Sequence, residues 1–209
     1  MRPRANALFV SFLLLTGLFD ALPAEGPGAS ESGIASWYGY PYHGRHAANG
    51  EIYDMEQMTA AHKTLPFNTW VEVRNTRNQK TVRVRITDRG PFIDGRVIDL
   101  SRAAARSIDM LEAGITPVEV AIVERAASAL PDRFAVQVGA FRIRENAERL
   151  CEQMRLRYGA AKIVMREGDP VLWRVLAGGE PTQAAAWKVA RDLRNESGGG
   201  AFVVRVDEN

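Results

Sequence analysis

Cysteine is nearly absent from this sequence: Cys151 is the only one in 209 residues. A lone thiol excludes an internal disulfide framework. Runs of one charge sign are missing as well. The 27 Lys and Arg and 25 Asp and Glu are interspersed and leave a net charge of +2, so strong electrostatic binding to nucleic acid is not expected. There is no nucleophile elbow, no phosphate loop, no internal repeat and no low-complexity tract. Histidine is scarce. His43, His46 and His62 could be combined with Glu51 or Asp54, but their spacing fits no zinc template. No metal or other cofactor is therefore expected.

Long apolar runs are confined to the start. Ala7 to Phe19 is shorter than the ~20 residues that cross a bilayer. Arg2 and Arg4 precede it and Ala21-Leu-Pro-Ala24 ends it, so residues 1–24 read as a secretory signal peptide. No cysteine lies near its end, so a lipid anchor is not expected, and the mature chain is expected in the periplasm.

What the chain does contain is two patterns in series. Residues 25–32 are a short flexible lead-in. Residues 33–124 are mostly β in character. Ile34–Tyr38, Thr69–Arg74, Lys80–Ile86 and Val118–Val123 alternate apolar and polar residues, as half-buried strands do. Ser101 stands where it can cap a short helix over 102–106. Many short strands with one small helix predict a compact β-barrel. Residues 125–132 form a linker too short to separate two units widely. Residues 133–206 read as βαββαβ, with strands at 134–141, 162–166, 171–177 and 201–206. Helices over 144–158 and 182–194 would cover one face of that sheet.

Titratable residues of the first unit gather in three turns: Ala48-Asn-Gly-Glu-Ile-Tyr-Asp54, Met58 to Pro66 around His62, and Ile86-Thr-Asp-Arg-Gly-Pro-Phe92. Asp88 follows an apolar alternating strand, which places it at the barrel rim, where scaffolds commonly present functional groups. Cleaving a glycosidic bond needs a carboxylic acid to protonate the leaving oxygen and a nearby group that stabilises charge. Asp88 with Glu51 or Asp54 could form that pair, with His62 orienting a carboxylate. Each residue taken singly is equally at home in a turn or in packing.

Residues 33–124 closely resemble the rare lipoprotein A (RlpA) family of septal lytic transglycosylases. The matching segments are Gly33-Ile-Ala-Ser-Trp-Tyr-Gly39, Ala48-Asn-Gly-Glu51, Thr59 to Phe67, Asp88-Arg-Gly-Pro-Phe92 and Arg96-Val-Ile-Asp-Leu-Ser101. The resemblance implies a six-stranded double-psi β-barrel that cuts glycan strands lacking stem peptides. It carries the family's acidic and histidine positions onto Glu51, Asp54, His62 and Asp88, with Asp88 as the acid/base. Residues 133–206 resemble a SPOR domain, an α+β module that recognises denuded peptidoglycan at division septa. Phe134-Ala-Val-Gln-Val-Gly-Ala-Phe141 and Trp173-Arg-Val175 carry that likeness. Strand alternation sets Gln137 and Phe141 opposite Phe134, Val136 and Val138, on the open sheet, and Trp173 or Arg174 adds to that surface.

The expected partner is therefore stem-peptide-free glycan. Divisome proteins enter as candidate partners through the same resemblance, a septal location follows from it, and a monomer is expected. A non-catalytic, expansin-like wall-binding protein is the alternative, and the full acidic set favours the enzyme. An RNA-binding sheet of the same strand order is disfavoured by the missing RNP1 run and by the export signal.

Overall fold

The structure, a computed structural model, describes residues 30–126, 132–167, 170–197 and 200–206. The signal segment 1–24, most of the lead-in and most of the linker lie outside the described residues. Among the described residues, no helix is long and apolar enough to cross a membrane.

The first unit is a closed barrel. Its strands are β1 (Ser30–Tyr38), β2 (Thr59–His62), β3 (Trp70–Asn75), β4 (Thr81–Asp88), β5 (Arg96–Ser101) and β6 (Ile115–Glu124). They are ordered β1-β5-β2-β4-β3-β6, and β6 closes back on β1. The pairs β1/β5 and β2/β4 are parallel and the rest antiparallel. Two interlocked parallel pairs in six strands are the double-psi arrangement. Closure removes free sheet edges.

Alternation decides the inward faces. Val71 and Val73 on β3, Val82, Val84 and Ile86 on β4, and Val118, Val120 and Ile122 on β6 meet Ile98 and Leu100 in one buried cluster. Each large aliphatic side chain taken fully from water contributes about 1.5–3 kcal/mol. Ser101 caps α1 (Arg102–Ser107), its hydroxyl accepting from Ala104 N at 3.2 Å, as its sequence position predicts. Residues 30–32, read from sequence as lead-in, are the first part of β1.

The second unit runs β7 (Phe134–Phe141), α2 (Arg144–Tyr158), β8 (Ala161–Arg166), β9 (Leu172–Glu180), α3 (Gln183–Ser197) and β10 (Phe202–Arg205). This is the expected βαββαβ order. The sheet is ordered β10-β7-β9-β8. Both helices pack on one face, where Ala147, Cys151 and Met154 of α2 and Ala186, Ala190 and Leu193 of α3 meet Phe134, Val136, Val175, Ala177 and Val203.

One expectation is corrected here. Gln137 is on the open face, but Phe141 packs with the helix-side cluster. The pairing of β7 with β9 shifts register between Gln137 and Gly139. A bulge at that point inverts the alternation of everything after it. Gly139 sits inside the bulge, where a Cβ would lie 2.8 Å from the Phe141 ring and 3.1 Å from Leu150. The alternative left open at 173 and 174 also resolves. Trp173 belongs to the helix side and Arg174 to the open face, above Phe92 of the barrel.

Candidate active site

Asp88 ends β4 and opens the turn Asp88-Arg-Gly-Pro-Phe92. It is 6% exposed. Its Oδ1 accepts from Arg89 N at 2.8 Å and from Ala48 N at 3.1 Å. Asn49 N donates to Thr87 O at 3.1 Å. Two of the three sequence turns are thereby clamped together, and one carboxylate oxygen is fixed by backbone amides. The other, Oδ2, faces Arg166 Nη2 of the second unit at 3.3 Å. Arg89 is buried; its Nη1 donates to the carbonyls of His62 (3.1 Å) and Leu65 (2.9 Å), and its guanidinium lies 3.8 Å over the Phe67 ring. Beneath this turn Tyr38 stacks on Tyr53, ring centroids 4.3 Å apart. Burial, then the charge of Asp88, pushes the Tyr38 phenol well above its ordinary value, so it remains a neutral donor.

The other three expected residues do different work. His62 is 3% exposed, and its Nδ1 accepts from Thr64 N (3.2 Å) and Leu65 N (3.1 Å). Its Nε2 therefore carries the proton and donates to Glu31 Oε2 at 3.1 Å. The ring shapes the 62–65 turn whose carbonyls hold Arg89, so His62 reaches Asp88 through that scaffold. Glu51 is gripped by Arg85 in a bidentate pair of 2.9 and 2.7 Å, and that guanidinium holds its carboxyl below the usual range despite partial desolvation. Asp54 accepts from Glu56 N at 2.9 Å. Glu51 and Asp54 line a cavity of about 230 Å³, which shares Ala47 with the cavity that Asp88 lines. His43 stands 3.6 Å from Asp54 and His46 Nδ1 3.0 Å from Gly50 O. Among the described residues no three His, Cys, Asp or Glu side chains are grouped to hold a metal ion.

Glu31 has a pH signature. Burial alone would raise its carboxyl, but the His62 hydrogen bond and the electrostatic attraction of His62 and of the Lys63 ammonium outweigh that and hold it below the usual carboxylate range. A depressed carboxylate stabilises the fold above its unfolded value, and that contribution fades as pH falls through the folded value. With a side chain 32% exposed, the pair is expected to contribute about 1 kcal/mol. Glu31→Gln should lower the Tm by several degrees at pH 7, with the gap to the native chain narrowing as pH falls through the acid range in which the folded carboxylate takes up its proton. Thermal melts across that range check it; a gap that does not vary with pH would refute it.

The open sheet of the second unit turns toward the barrel. Phe92 meets Phe202 edge-on at 6.2 Å, and the Arg174 guanidinium lies 5.2 Å from the Phe92 ring. Arg205 N donates to Lys63 O at 3.0 Å. Two cavities lie along this junction. One, about 310 Å³, is bounded by Asp88, Ala48 and His46 on the barrel and by Lys162, Arg166 and Arg174 opposite. The other, about 260 Å³, is bounded by Phe92, Gln137, Ala140, Arg174 and Phe202. Arg166 and Arg174 border both.

The family described as lytic transglycolase matches residues 30–120, and the SPOR domain family matches residues 130–205. A Helicobacter pylori protein named endolytic peptidoglycan transglycosylase RlpA is 34% identical over an alignment of 207 residues, covering 85% of this chain and 64% of its own length. The chain belongs to the RlpA family. A Vibrio cholerae protein of the same name is 56% identical over 96 residues, covering 46% of this chain and 36% of its own. The chain thus spans between about a third and two thirds of the length of these curated relatives.

Within this RlpA-family chain, sequence reasoning missed three residues at the junction. Phe202 is the aromatic that the open sheet presents, and the alternation of Phe202 and Val204 against Val203 carried a usable signal. Arg166 shares a strand face with Lys162 and Val164, a faint signal because nothing local says which face is open. Phe92 sat inside a quoted motif, but only the docking of the two units gives it a contact.

Proposed function

We propose that this chain is an endolytic peptidoglycan transglycosylase that acts outside the cytoplasm on strands lacking stem peptides, delivered to septal wall by its SPOR domain. The observation that carries the reading is the state of Asp88: one oxygen locked by two backbone amides, the other turned into a cavity. A group held that way is preorganised for proton transfer. Protonated, Asp88 gives its proton to the oxygen that joins C1 of N-acetylmuramic acid to N-acetylglucosamine, and the C1–O bond breaks. The C6 hydroxyl oxygen of the same sugar bonds to C1, and its proton returns to the carboxylate. Ring closure is intramolecular, so proximity replaces an activated water. Asp88 is the one barrel carboxylate among the described residues that lines this cavity, which supports this route over two-carboxylate hydrolysis, since Glu51 is committed to Arg85 and lines a different cavity. Gln137 and Arg174 of the open sheet are the proposed glycan contacts of the second unit.

Incubation of the full chain with amidase-treated and untreated sacculi, followed by mass spectrometry, tests this. Anhydro-ended fragments, lighter by one water than hydrolysis products, are expected from treated sacculi. Products that have gained water, or none at all, would reject the reading.

A further inference from the structure

We propose that the second domain supplies the specificity determinant of the catalytic cleft: Arg166, supported by Lys162, takes the free lactyl carboxylate of a muramic acid residue and, in taking it, releases Asp88. This rests on the transglycosylase reading above. Removing a stem peptide breaks the amide between the lactyl group and the first amino acid. What remains on the sugar is a carboxylate on a short arm, where an uncleaved strand has a neutral amide. That anion is the chemical mark of a denuded strand. It belongs to the sugar whose C1 is attacked, so a cation that reads it must stand close to the acid.

Arg166 stands there. It comes from the end of β8, reaches across the junction to Asp88, and its guanidinium carbon lies 5.1 Å from the centre of the Tyr42 ring. Its contact with Asp88 is a single bond of 3.3 Å. Strong charge-assisted pairs are shorter, about 2.7–2.9 Å, and often bidentate, as Arg85 and Glu51 are in this same barrel. A guanidinium presents five donors in a planar fork, so a mobile carboxylate can offer Arg166 the two-pronged geometry that Asp88 does not. Lys162 and Arg174 add positive charge to the same wall, against Glu167. A second observation points the same way. Gln137, 4% exposed, has a buried Oε1 with no hydrogen-bond partner among the described residues, and it borders the second cavity, which Arg166 also borders. A buried acceptor left unpaired is costly. An N-acetyl N–H or a sugar hydroxyl would satisfy it. The two cavities then form one path, acid at one end, carboxylate reader in the middle, and amide acceptor beyond.

The test compares denuded glycan oligomers with the same oligomers after their lactyl carboxylates are capped as methylamides. The native full chain is expected to favour the free-carboxylate form by about tenfold in kcat/KM, the scale of one charge-assisted hydrogen bond. Arg166→Gln should bring that ratio close to one, chiefly through the free-carboxylate substrate, and Arg166→Lys should restore part of it. Binding is measured separately on the full chain carrying Asp88→Asn, with and without Arg166→Gln. Free-carboxylate oligomers should lose about tenfold in affinity on the second change and capped oligomers almost none. Discrimination in that binding assay, together with a native chain that cleaves neither substrate, would sink the transglycosylase reading and leave the Arg166 assignment standing. An unchanged ratio in folded Arg166→Gln would overturn the assignment. So would faster cleavage of both substrates, which would make Arg166 a mere plug on Asp88. Should Arg166→Gln fail to fold, Lys162→Gln at its exposed site serves instead. A partial fall in the ratio supports the assignment, and an unchanged ratio overturns it.

Discussion

Asp88→Asn is expected to reduce the release of anhydro-ended fragments from denuded sacculi by about a thousandfold or more, while the fold survives. Survival follows from the hydrogen bonds. The asparagine Oδ1 can still accept from Ala48 N and Arg89 N, the two bonds that hold the turn. What is lost is the proton. An amide cannot donate one to a glycosidic oxygen and recover it, and a positioned general acid typically contributes 10²–10⁴-fold. Here one group both gives and takes the proton, so the upper part of that range applies; a thousandfold corresponds to about 4 kcal/mol of transition-state stabilisation. The contact with Arg166 also weakens, but at 3.3 Å it contributes little to the fold. The Tm should stay within a few degrees of the native value. Fragment release timed by mass spectrometry, with circular dichroism to verify folding, checks both halves. Cleavage within tenfold of the native rate would remove Asp88 from the acid role.

How far these features could be read in advance depended on whether they are local. β3, β4 and β6 each keep one face in the barrel interior and one toward solvent, so alternation announces them. β2 does not alternate: all four residues of Thr59–His62 are buried. Small residues in such a place carry no periodic signal, and the segment stood out only through its motif. The βαββαβ unit was legible because α2 and α3 each carry an inward stripe matched to a half-apolar sheet. Phe141 was misplaced for the opposite reason: a one-residue bulge is invisible to a period of two, yet it transfers the ring to the helix face.

The site divides similarly. Asp88 was legible as a rim residue because a strand's end is local information. Its partners come from elsewhere: Ala48 lies 40 residues before it and Arg166 lies 78 after it. The sequence offers Glu51, Asp54 and His62 as site residues beside Asp88, since nothing local shows that Arg85 claims Glu51 or that both nitrogens of His62 are engaged. Spatial pairing separates a buried carboxylate facing a cavity from one already neutralised at the surface.

Arg89→Met is expected to destabilise the barrel by about 3 kcal/mol and, with it, to misplace Asp88. Arg89 is a buried cation held by the carbonyls of His62 and Leu65 and by the Phe67 ring. Methionine fills much of the aliphatic volume but donates nothing. Two hydrogen bonds from a charged donor contribute about 1.5–3 kcal/mol each, and both carbonyls would be left without that donor. Removing a buried charge returns part of this, since its desolvation cost disappears too. The net of about 3 kcal/mol converts to a Tm loss of roughly 10–20 °C for a barrel of this size. The kinetic effect has a separate cause. Arg89 N is one of the two amides that fix Asp88 Oδ1, and a shift of about 1 Å in a reacting group can cost on the order of a hundredfold. Below the lowered Tm, kcat should therefore fall more than tenfold while KM changes less, because the guanidinium is spent on the carbonyls of His62 and Leu65 and on the Phe67 ring. Arg89→Lys should recover little of either, since one ammonium cannot reproduce the span between two carbonyls while lying flat on Phe67. Calorimetry and steady-state kinetics on the two variants decide it. A native Tm for Arg89→Met would show that the 62–65 turn and the Asp88 turn are held together by something other than this arginine.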